Sequence, residues 1–462
     1  MHTKFIRKEV FPTNNSITSL LNLKENEVEY CKEIIKNNHH YFYVRLVNHG
    51  GRCPHCSRFT KKIKEYYNKH IIHSIFIKDP STIIYQARRF ICPECNTTFY
   101  ESNPFIKDDY KKLSSSTIDN ILFLLKNYSN TFSYVAKQLN ISVTQVITVF
   151  DEHVQPKRNN LTECICIDEF FFSKHTRKKY ALLILSFTNG KIIDILPTRE
   201  KHVLSSFLRK IPIEERKIVK YVSIDMNKIY KDVVSIYFPW ATICCDSFHV
   251  MKNINKALDD IRLRVMKKFE SNKKSDEYYL LKYQKRLLFM DLDDDSYHKK
   301  KRNHHFKYEV TDRRKLEMML AIDEELTLAY ELKESYLLFN RRDGSLDEKR
   351  EELEIQINRF ISSNIPEMMI VGLTLDNWKI EITNSFIKTQ KKYQVDNKTK
   401  TIYTRVSNGP IEGKNKYIKI ILKLANGYSN FSRFRNRAMY ILNKDSIASD
   451  EKLENNVKRK IK

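Results

Sequence analysis

The chain has 462 residues, too many for one ordinary hydrophobic core and enough for about three domains of roughly 100 to 200 residues each. Its 41% apolar content supports folded domains, and 82 Lys and Arg against 56 Asp and Glu leave a formal charge of +26. That charge favours a polyanionic partner, because cationic side chains displace counterions condensed on phosphates. No membrane span is visible, since the best apolar run, Ala181 to Phe187, falls far short of the roughly 20 residues needed. The first residues, MHTKFIRKEVF, hold neither a long apolar core nor a small-residue cleavage site. Export is therefore not expected, the nine cysteines are expected to stay reduced, and the cytoplasm or nucleoid is the expected location.

Cys53-Pro-His-Cys56 and Cys92-Pro-Glu-Cys95 are two tight turns separated by the 35 residues from Ser57 to Ile91. Four thiolates so presented suit one tetrahedral Zn²⁺, whose binding supplies folding energy to a module with little core. The run Ile83 to Phe90 has strand character and leads into the second turn, the layout of a zinc ribbon. Four cysteines close the site, so the zinc is expected to be structural, and Cys31, Cys164, Cys166, Cys244 and Cys245 read as core or strand residues.

From Ser114 to Val154 the apolar period becomes helical, with a first helix ending near Asn127. Tyr134 to Ile147 then sets a small residue inside one helix, an apolar residue at its end, a short turn and a second amphipathic helix. That order is a helix-turn-helix, whose second helix enters the DNA major groove. Ser142, Thr144 and Gln145 would open this recognition helix, where polar side chains reach phosphates or base edges.

Beyond Pro156 to Asn160 the pattern turns to strands at Glu163 to Phe172, Tyr180 to Thr188 and Lys191 to Pro197, with Asn189-Gly190 marking a hairpin. A helix from Val203 to Lys210, a strand from Ile218 to Ile224, a helix from Lys228 to Tyr237, a strand from Ala241 to Cys245 and a helix from about Phe248 to Val265 follow. The order βββαβαβα is that of a ribonuclease-H-like fold, which sets the end of its first strand, at Asp168, beside that of its fourth, at Asp225. Clustered carboxylates there suit two Mg²⁺, roughly 4 Å apart across a scissile phosphate. Glu412 opens a late helix on which Lys414, Lys416, Lys419 and Lys423 crowd positive charge, and Glu381 is its rival as third carboxylate. Glu169 points to the opposite face from Asp168 by strand alternation. Asp246 and His249 follow the last core strand, where Asp246 reads as a helix N-cap unless the family pattern given below sets the two near the metals or a substrate phosphate, and Arg199 either contacts DNA or braces the core.

Two Cys-Pro-x-Cys turns, the helix-turn-helix, Ile167-Asp168-Glu169, Ser223-Ile224-Asp225-Met226, Phe238-Pro239-Trp240-Ala241, Asp246-Ser247-Phe248-His249-Val250 and the run Asn408 to Asn415 occur in this order. Together, from about residue 50 to about 440, they resemble the ISL-three-type insertion-sequence transposases of the DDE superfamily. The resemblance implies Asp168, Asp225 and Glu412 as catalytic triad, two Mg²⁺ for which Mn²⁺ can substitute, and one structural Zn²⁺. It further implies double-stranded DNA, terminal inverted repeats and target alike, as substrate, and a homodimer or larger assembly on it. A metal-dependent nuclease or resolvase, and a catalytically silent DNA-binding regulator, are the alternatives.

The 186 residues from Met226 to Ile411 exceed what the remaining core elements require. Ile322, Leu326, Ala329, Leu332 and Tyr336, then Leu353, Ile357 and Phe360, recur at helical steps, so a helical insertion is expected. The basic run His298 to His305 within it is a candidate phosphate contact, and Asn426 to Arg437 interleaves aromatic and basic residues that fit either DNA or a cap on the core. The expected organisation is α/β multidomain: a zinc-ribbon region at 1–110, a helix-turn-helix at 111–158 and a first segment of the ribonuclease-H-like core at 159–266. A helical insertion at 267–400, a second core segment with the Glu412 helix at 401–445 and a basic tail at 446–462 complete it.

Overall fold

The computed structural model describes residues 15–76, 78–106, 112–174, 178–290, 298–395 and 398–443. The N-terminal stretch read for export and the basic tail at 446–462 lie outside the described residues. The chain divides into two compact units, residues 1–157 with 420–462, and residues 158–419.

In the first unit, α1 (Asn15–Leu20) precedes a hairpin of β1 (Val28–Lys36) and β2 (His39–Leu46). Its turn residues Asn37 and Asn38 take φ of 51° and 57°, the left-handed backbone that a two-residue hairpin loop requires and that Asn tolerates. A short ladder of β3 (Gly51–Arg52) with β4 (Phe59–Thr60) flanks the first cysteine turn. Then β5 (Ile63–Ile72) and β6 (Ser81–Ile91) complete a sheet of order β1-β2-β6-β5, with β7 (Thr98–Tyr100) against β6. Phe42, Val44, Ile83, Tyr85 and Ala87 form its core, so the residues before 45 supply two strands of this sheet. The buried Arg88 guanidinium is held by Glu29 at 2.6 Å and Glu101 at 2.8 Å and donates to the Leu46 carbonyl, which compensates its removal from water.

Three helices follow, α2 (Ser115–Leu125), α3 (Phe132–Leu139) and α4 (Val143–His153). The hydroxyls of Ser114, Thr131 and Ser142 each accept from the amide three residues on, and Asn140 turns the chain out of α3 at φ 52°. Ile121, Leu125, Val135, Leu139, Val146 and Phe150 close one shared core.

In the second unit, β8 (Cys164–Phe171), β9 (Tyr180–Ser186) and β10 (Ile192–Leu196) form an antiparallel meander, with Gly190 at φ 68° before β10. After α5 (Lys201–Arg209) and α6 (Ile213–Arg216), β11 (Tyr221–Ile224) runs parallel to β8, with Tyr221 opposite Cys164 and Ser223 opposite Cys166. Helix α7 (Lys228–Tyr237) then leads to β12 (Thr242–Cys245), parallel to β11. The order β10-β9-β8-β11-β12 sets the C-terminal ends of β8, β11 and β12 side by side. Ile165, Ile167, Val222 and Ile224 of the strands share a core with Leu204 and Leu208 of α5 and Val233 and Val234 of α7.

Beyond the sheet come α8 (Ser247–Lys267), α9 (Asp276–Tyr283), a small ladder of β13 (Lys301–Arg302) with β14 (Glu309–Val310), and α10 (Asp312–Leu320). Four more helices follow: α11 (Glu324–Arg341), α12 (Leu346–Ile361), α13 (Pro366–Asn377) and α14 (Lys379–Asn384). Leu326, Ala329, Leu332 and Tyr336 of α11 and Leu353, Ile357 and Phe360 of α12 are all buried, as their spacing predicts. The range 267–400, expected as a helical insertion, holds strands as well as helices: besides the β13–β14 ladder, β15 (Lys388–Val395) and β16 (Lys398–Arg405) form an antiparallel hairpin that runs past its end. Its strands carry Lys, Thr and Gln where a half-buried strand would carry apolar residues, so no period-two signal marks it.

Helix α15 (Gly409–Leu424) follows, and the boundary between the units falls after Lys419. The last described helix, α16 (Phe431–Leu442), belongs to the first unit rather than to the second core with which 401–445 was expected to fold. Tyr440 joins the core of α2, α3 and α4, and the buried Arg437 donates to the carbonyls of Leu125, Asn127 and Asn130. The end of α2 thus gains donors for carbonyls that a helix terminus leaves unsatisfied. Among the described residues no helix is long and apolar enough to cross a membrane.

Candidate metal centres

In the first unit the Sγ atoms of Cys53, Cys56, Cys92 and Cys95 all lie within 4.8 Å of one another. Cys53 to Cys95, Cys56 to Cys92 and Cys56 to Cys95 measure 3.5, 3.4 and 3.5 Å. Those separations approach the ~3.8 Å edge of a tetrahedron built on ~2.3 Å zinc–sulfur bonds, so the donor set fits Zn²⁺. The two turns are built alike. The Cys53 amide donates to Arg58 and the Ser57 amide back to Cys53, while Cys92 donates to Thr97 and Asn96 back to Cys92. Ser57 and Asn96 both take positive φ, 59° and 56°. The crowded thiols share protons unevenly: the Thr97 hydroxyl and amide hold Cys95 down at about 6, while at Cys56, against the pull of the Arg58 amide, hydrogen bonds with Cys92, Cys95 and Cys53 push the thiol up to about 12.

In the second unit, the parallel register of β8, β11 and β12 sets Asp168, within β8, beside Asp225 and Asp246, which directly follow the ends of β11 and β12. Carboxylate oxygens of Asp168 and Asp225 and a ring nitrogen of His249, in the first turn of α8, lie within 4.8 Å of one another. Asp168 is buried; one oxygen accepts from the Glu169 amide at 2.7 Å and the other from Asn415 Nδ2 at 2.9 Å. Asp225 has a buried Oδ1 with no hydrogen-bond partner among the described residues. An orphaned carboxylate oxygen beside a second carboxylate is what a hard divalent cation satisfies, so these residues fit Mg²⁺ or Mn²⁺.

Asp246 occupies the N-cap position of α8 without a side-chain cap bond. Instead its Oδ2 accepts from His249 Nδ1 at 3.0 Å and its Oδ1 from the Asn408 amide at 3.0 Å, which ties the end of β12 to the start of α15. Glu412, in the first turn of α15, stands outside the 4.8 Å group, but it shares the field of Asp246 and Asp168. Burial and then Asp246 lift its carboxyl above the ordinary range, while His249 and Lys252 pull the other way. Burial likewise raises Asp168, and lifts Asp225 to about 6. His249 is raised by its hydrogen bond to Asp246.

Glu169 accepts from Arg199 at 2.6 and 2.8 Å and from the Tyr230 hydroxyl at 3.0 Å, and Arg199 also lies 4.7 Å over the Tyr180 ring. Arg199, expected either to contact DNA or to brace the core, is thus tied to Glu169 and Tyr180. Glu381 is buried on α14, with one carboxylate oxygen paired with Lys231 at 2.7 Å and the other, Oε2, without a hydrogen-bond partner among the described residues. Ser142 and Gln145 cap α4 reciprocally, whereas Thr144 is exposed. Lys416 and Lys419 are exposed on α15 and Lys414 is half-buried. Sequence reasoning misses the roles of Asn408 and Asn415, although they stand four before and three after Glu412, the spacing of one helix face. Asn415→Ala is expected to free Asp168 and weaken metal binding by roughly 10- to 100-fold, the usual cost of losing a group that orients a ligand. Thermal shift against Mn²⁺ concentration measures this, and an unchanged affinity would reduce Asn415 to packing.

A family model described as a transposase matches residues 165–438. A second, described as the zinc-finger of transposase IS204/IS1001/IS1096/IS1165, matches residues 49–95. The transposase for insertion sequence element IS1557 of Mycobacterium tuberculosis, in strains CDC 1551 / Oshkosh and ATCC 25618 / H37Rv, is 31% identical over 100 residues. That match spans 22% of this chain and 22% of each relative's length.

Proposed function

The chain belongs to the ISL3 family of DDE transposases and carries that family's zinc ribbon, and from this premise we propose that it cuts DNA at the terminal inverted repeats of its own insertion sequence and joins the freed 3′ ends to target DNA. The observation that carries the reading is the pair Asp168, within β8, and Asp225, just past the end of the adjacent parallel β11, one with an orphaned oxygen among the described residues, in a sheet of ribonuclease-H-like order. Bound there, two Mg²⁺ would activate the attacking oxygen and stabilise the leaving one. Asp168, Asp225 and Glu412 would hold them. Asn415 fixes the Asp168 carboxylate, and Asp246 fixes both His249 and the backbone ahead of Glu412. With Nδ1 committed to Asp246, His249 keeps Nε2 for a phosphate oxygen.

In this reading α3 and α4 are the helix-turn-helix, and the helices of the second unit between β12 and β15 are the insertion. Thr144 and the outer face of α4 would meet the major groove, and Lys414, Lys416 and Lys419 the DNA backbone. Two element ends must meet, so a dimer or larger assembly forms on DNA, in the cytoplasm. The test is Mg²⁺-dependent cleavage and strand transfer on DNA carrying the ends that flank this gene. Wild type is expected to nick and join, and Glu412→Gln to bind but do neither. Cleavage without joining would replace the transposase with a nuclease, and activity surviving in Glu412→Gln would move the third carboxylate to Asp246 or Glu381.

A further inference from the structure

The β15–β16 hairpin is explained neither by the core nor by the metal cluster. Its 18 residues from Lys388 to Arg405 hold Lys388, Lys391, Lys392, Lys398, Lys400 and Arg405 against the single acid Asp396. The base is anchored: the Lys392 amide donates to Thr188 at 2.6 Å, Lys388 pairs with Asp343 at 3.0 Å, and Arg405 stacks 3.7 Å over Phe386 while donating to the Asn340 carbonyl. The outer part of β16 is different, for every residue from Lys398 to Tyr403 is exposed. Register sets Lys391 opposite Ile402, Tyr393 opposite Lys400 and Val395 opposite Lys398, so Lys398 and Lys400 share one face with Tyr393, Val395 and Ile402, while Lys391 on that face is half-buried, 5.7 Å over the Phe187 ring. A two-stranded hairpin with no apolar face against a core is marginal in water, which leaves its charge and shape to be accounted for by a partner.

We propose that this hairpin is a duplex-DNA arm of the second unit. Eight paired positions at ~3.4 Å per residue make a ribbon about 27 Å long, whose outer three pairs, Tyr393 with Lys400 to Val395 with Lys398, lie beyond the anchor at Lys392, and a two-stranded ribbon is one of the shapes the major groove admits. The excess of lysine complements phosphates. Chain connectivity sets the arm directly before α15: β16 ends at Arg405, and the Asn408 amide that follows is bonded to Asp246 ahead of Glu412. The arm therefore engages the same duplex whose phosphate the carboxylates cut, and to that extent it rests on the proposed function.

The experiment uses the full chain and a labelled duplex carrying one element end with its flank, titrated over a salt series. Three proteins are compared: wild type, the double variant Lys398→Ala with Lys400→Ala, and the double variant Lys398→Arg with Lys400→Arg. The alanine pair is expected to lower the slope of log K against log salt by about 2, near 0.9 per lost phosphate contact, and to bind several-fold more weakly at roughly 0.15 M salt. The arginine pair is expected to keep both values, with melting temperatures alike in all three. Wild-type slope and affinity in the alanine pair would overturn the arm while leaving the transposase reading intact, and equal losses in the arginine pair would overturn the charge basis. A wild-type chain that binds no duplex would remove the proposed function and the arm together.

Discussion

Asp225→Asn is expected to abolish metal-dependent DNA cleavage, by at least about a thousandfold for a loss of several kcal/mol of charge stabilisation, yet to yield a metal-free chain more stable than wild type at neutral pH. The stability gain follows from burial, which lifts the Asp225 carboxyl from 3.8 to about 6. Between about pH 4 and pH 6 the folded chain keeps a proton that the unfolded chain has released, so this group's contribution falls as pH rises through the window and levels off above it. Asp168 and Glu412, also raised by burial, act in the same direction. So does His249, whose raised value gives stability at low pH that is lost as pH climbs through it. Glu215 and Glu367, held down by Arg158 and Arg264, act in the opposite sense, so the informative quantity is the difference between variant and wild type. Chemical denaturation without metal should show that difference growing from pH 4 to pH 6. Mg²⁺ at a hundred times its Kd should then stabilise wild type by about 2.7 kcal/mol and the variant far less. A difference that does not change with pH would mean that Asp225 is not held as a strained, cation-seeking acid.

That strain was legible only in outline. Asp168 and Asp225 can be placed because each follows an apolar run, Cys164 to Ile167 and Tyr221 to Ile224, in a series punctuated by Asn189-Gly190, and parallel pairing of β8 with β11 then brings them together. What fixes their chemistry is non-local. Asp246 reaches Asn408, 162 positions away, and Asn415 reaches Asp168 across 247, distances over which no periodicity carries information. The hairpin of β15 and β16 escaped for another reason: without an apolar face, its strands read like any polar segment. Arg437 was visible as a basic residue in an aromatic stretch, but a charge that satisfies three buried carbonyls cannot be told from one that meets phosphate until the fold is known.

The cysteine turns are the opposite case, since spacing alone specified four donors and the structure gathers them. Removing zinc is therefore expected to have the second large effect. Zinc binding is worth an apparent 10 to 16 kcal/mol in small zinc modules, as much as or more than the roughly 5 to 15 kcal/mol by which a whole domain is usually stable. The ladder of β3 with β4 has only two residues per strand and cannot hold the first turn without the ion. Metal analysis should find one zinc per chain in wild type and none in Cys92→Ser. Chelation should expose four fast-reacting thiols, while Cys31, Cys164, Cys166, Cys244 and Cys245 stay slow, because burial pushes each of these thiols up and away from the reactive thiolate. The sheet of β1, β2, β5 and β6 has an apolar core of its own and should survive, so the loss of structure should be confined to the cysteine turns and the strands beside them. A thiol count unchanged by chelation would show that the four sulfurs hold no ion, and a chain that unfolds throughout would show that the ribbon supports more of the first unit than its contacts account for.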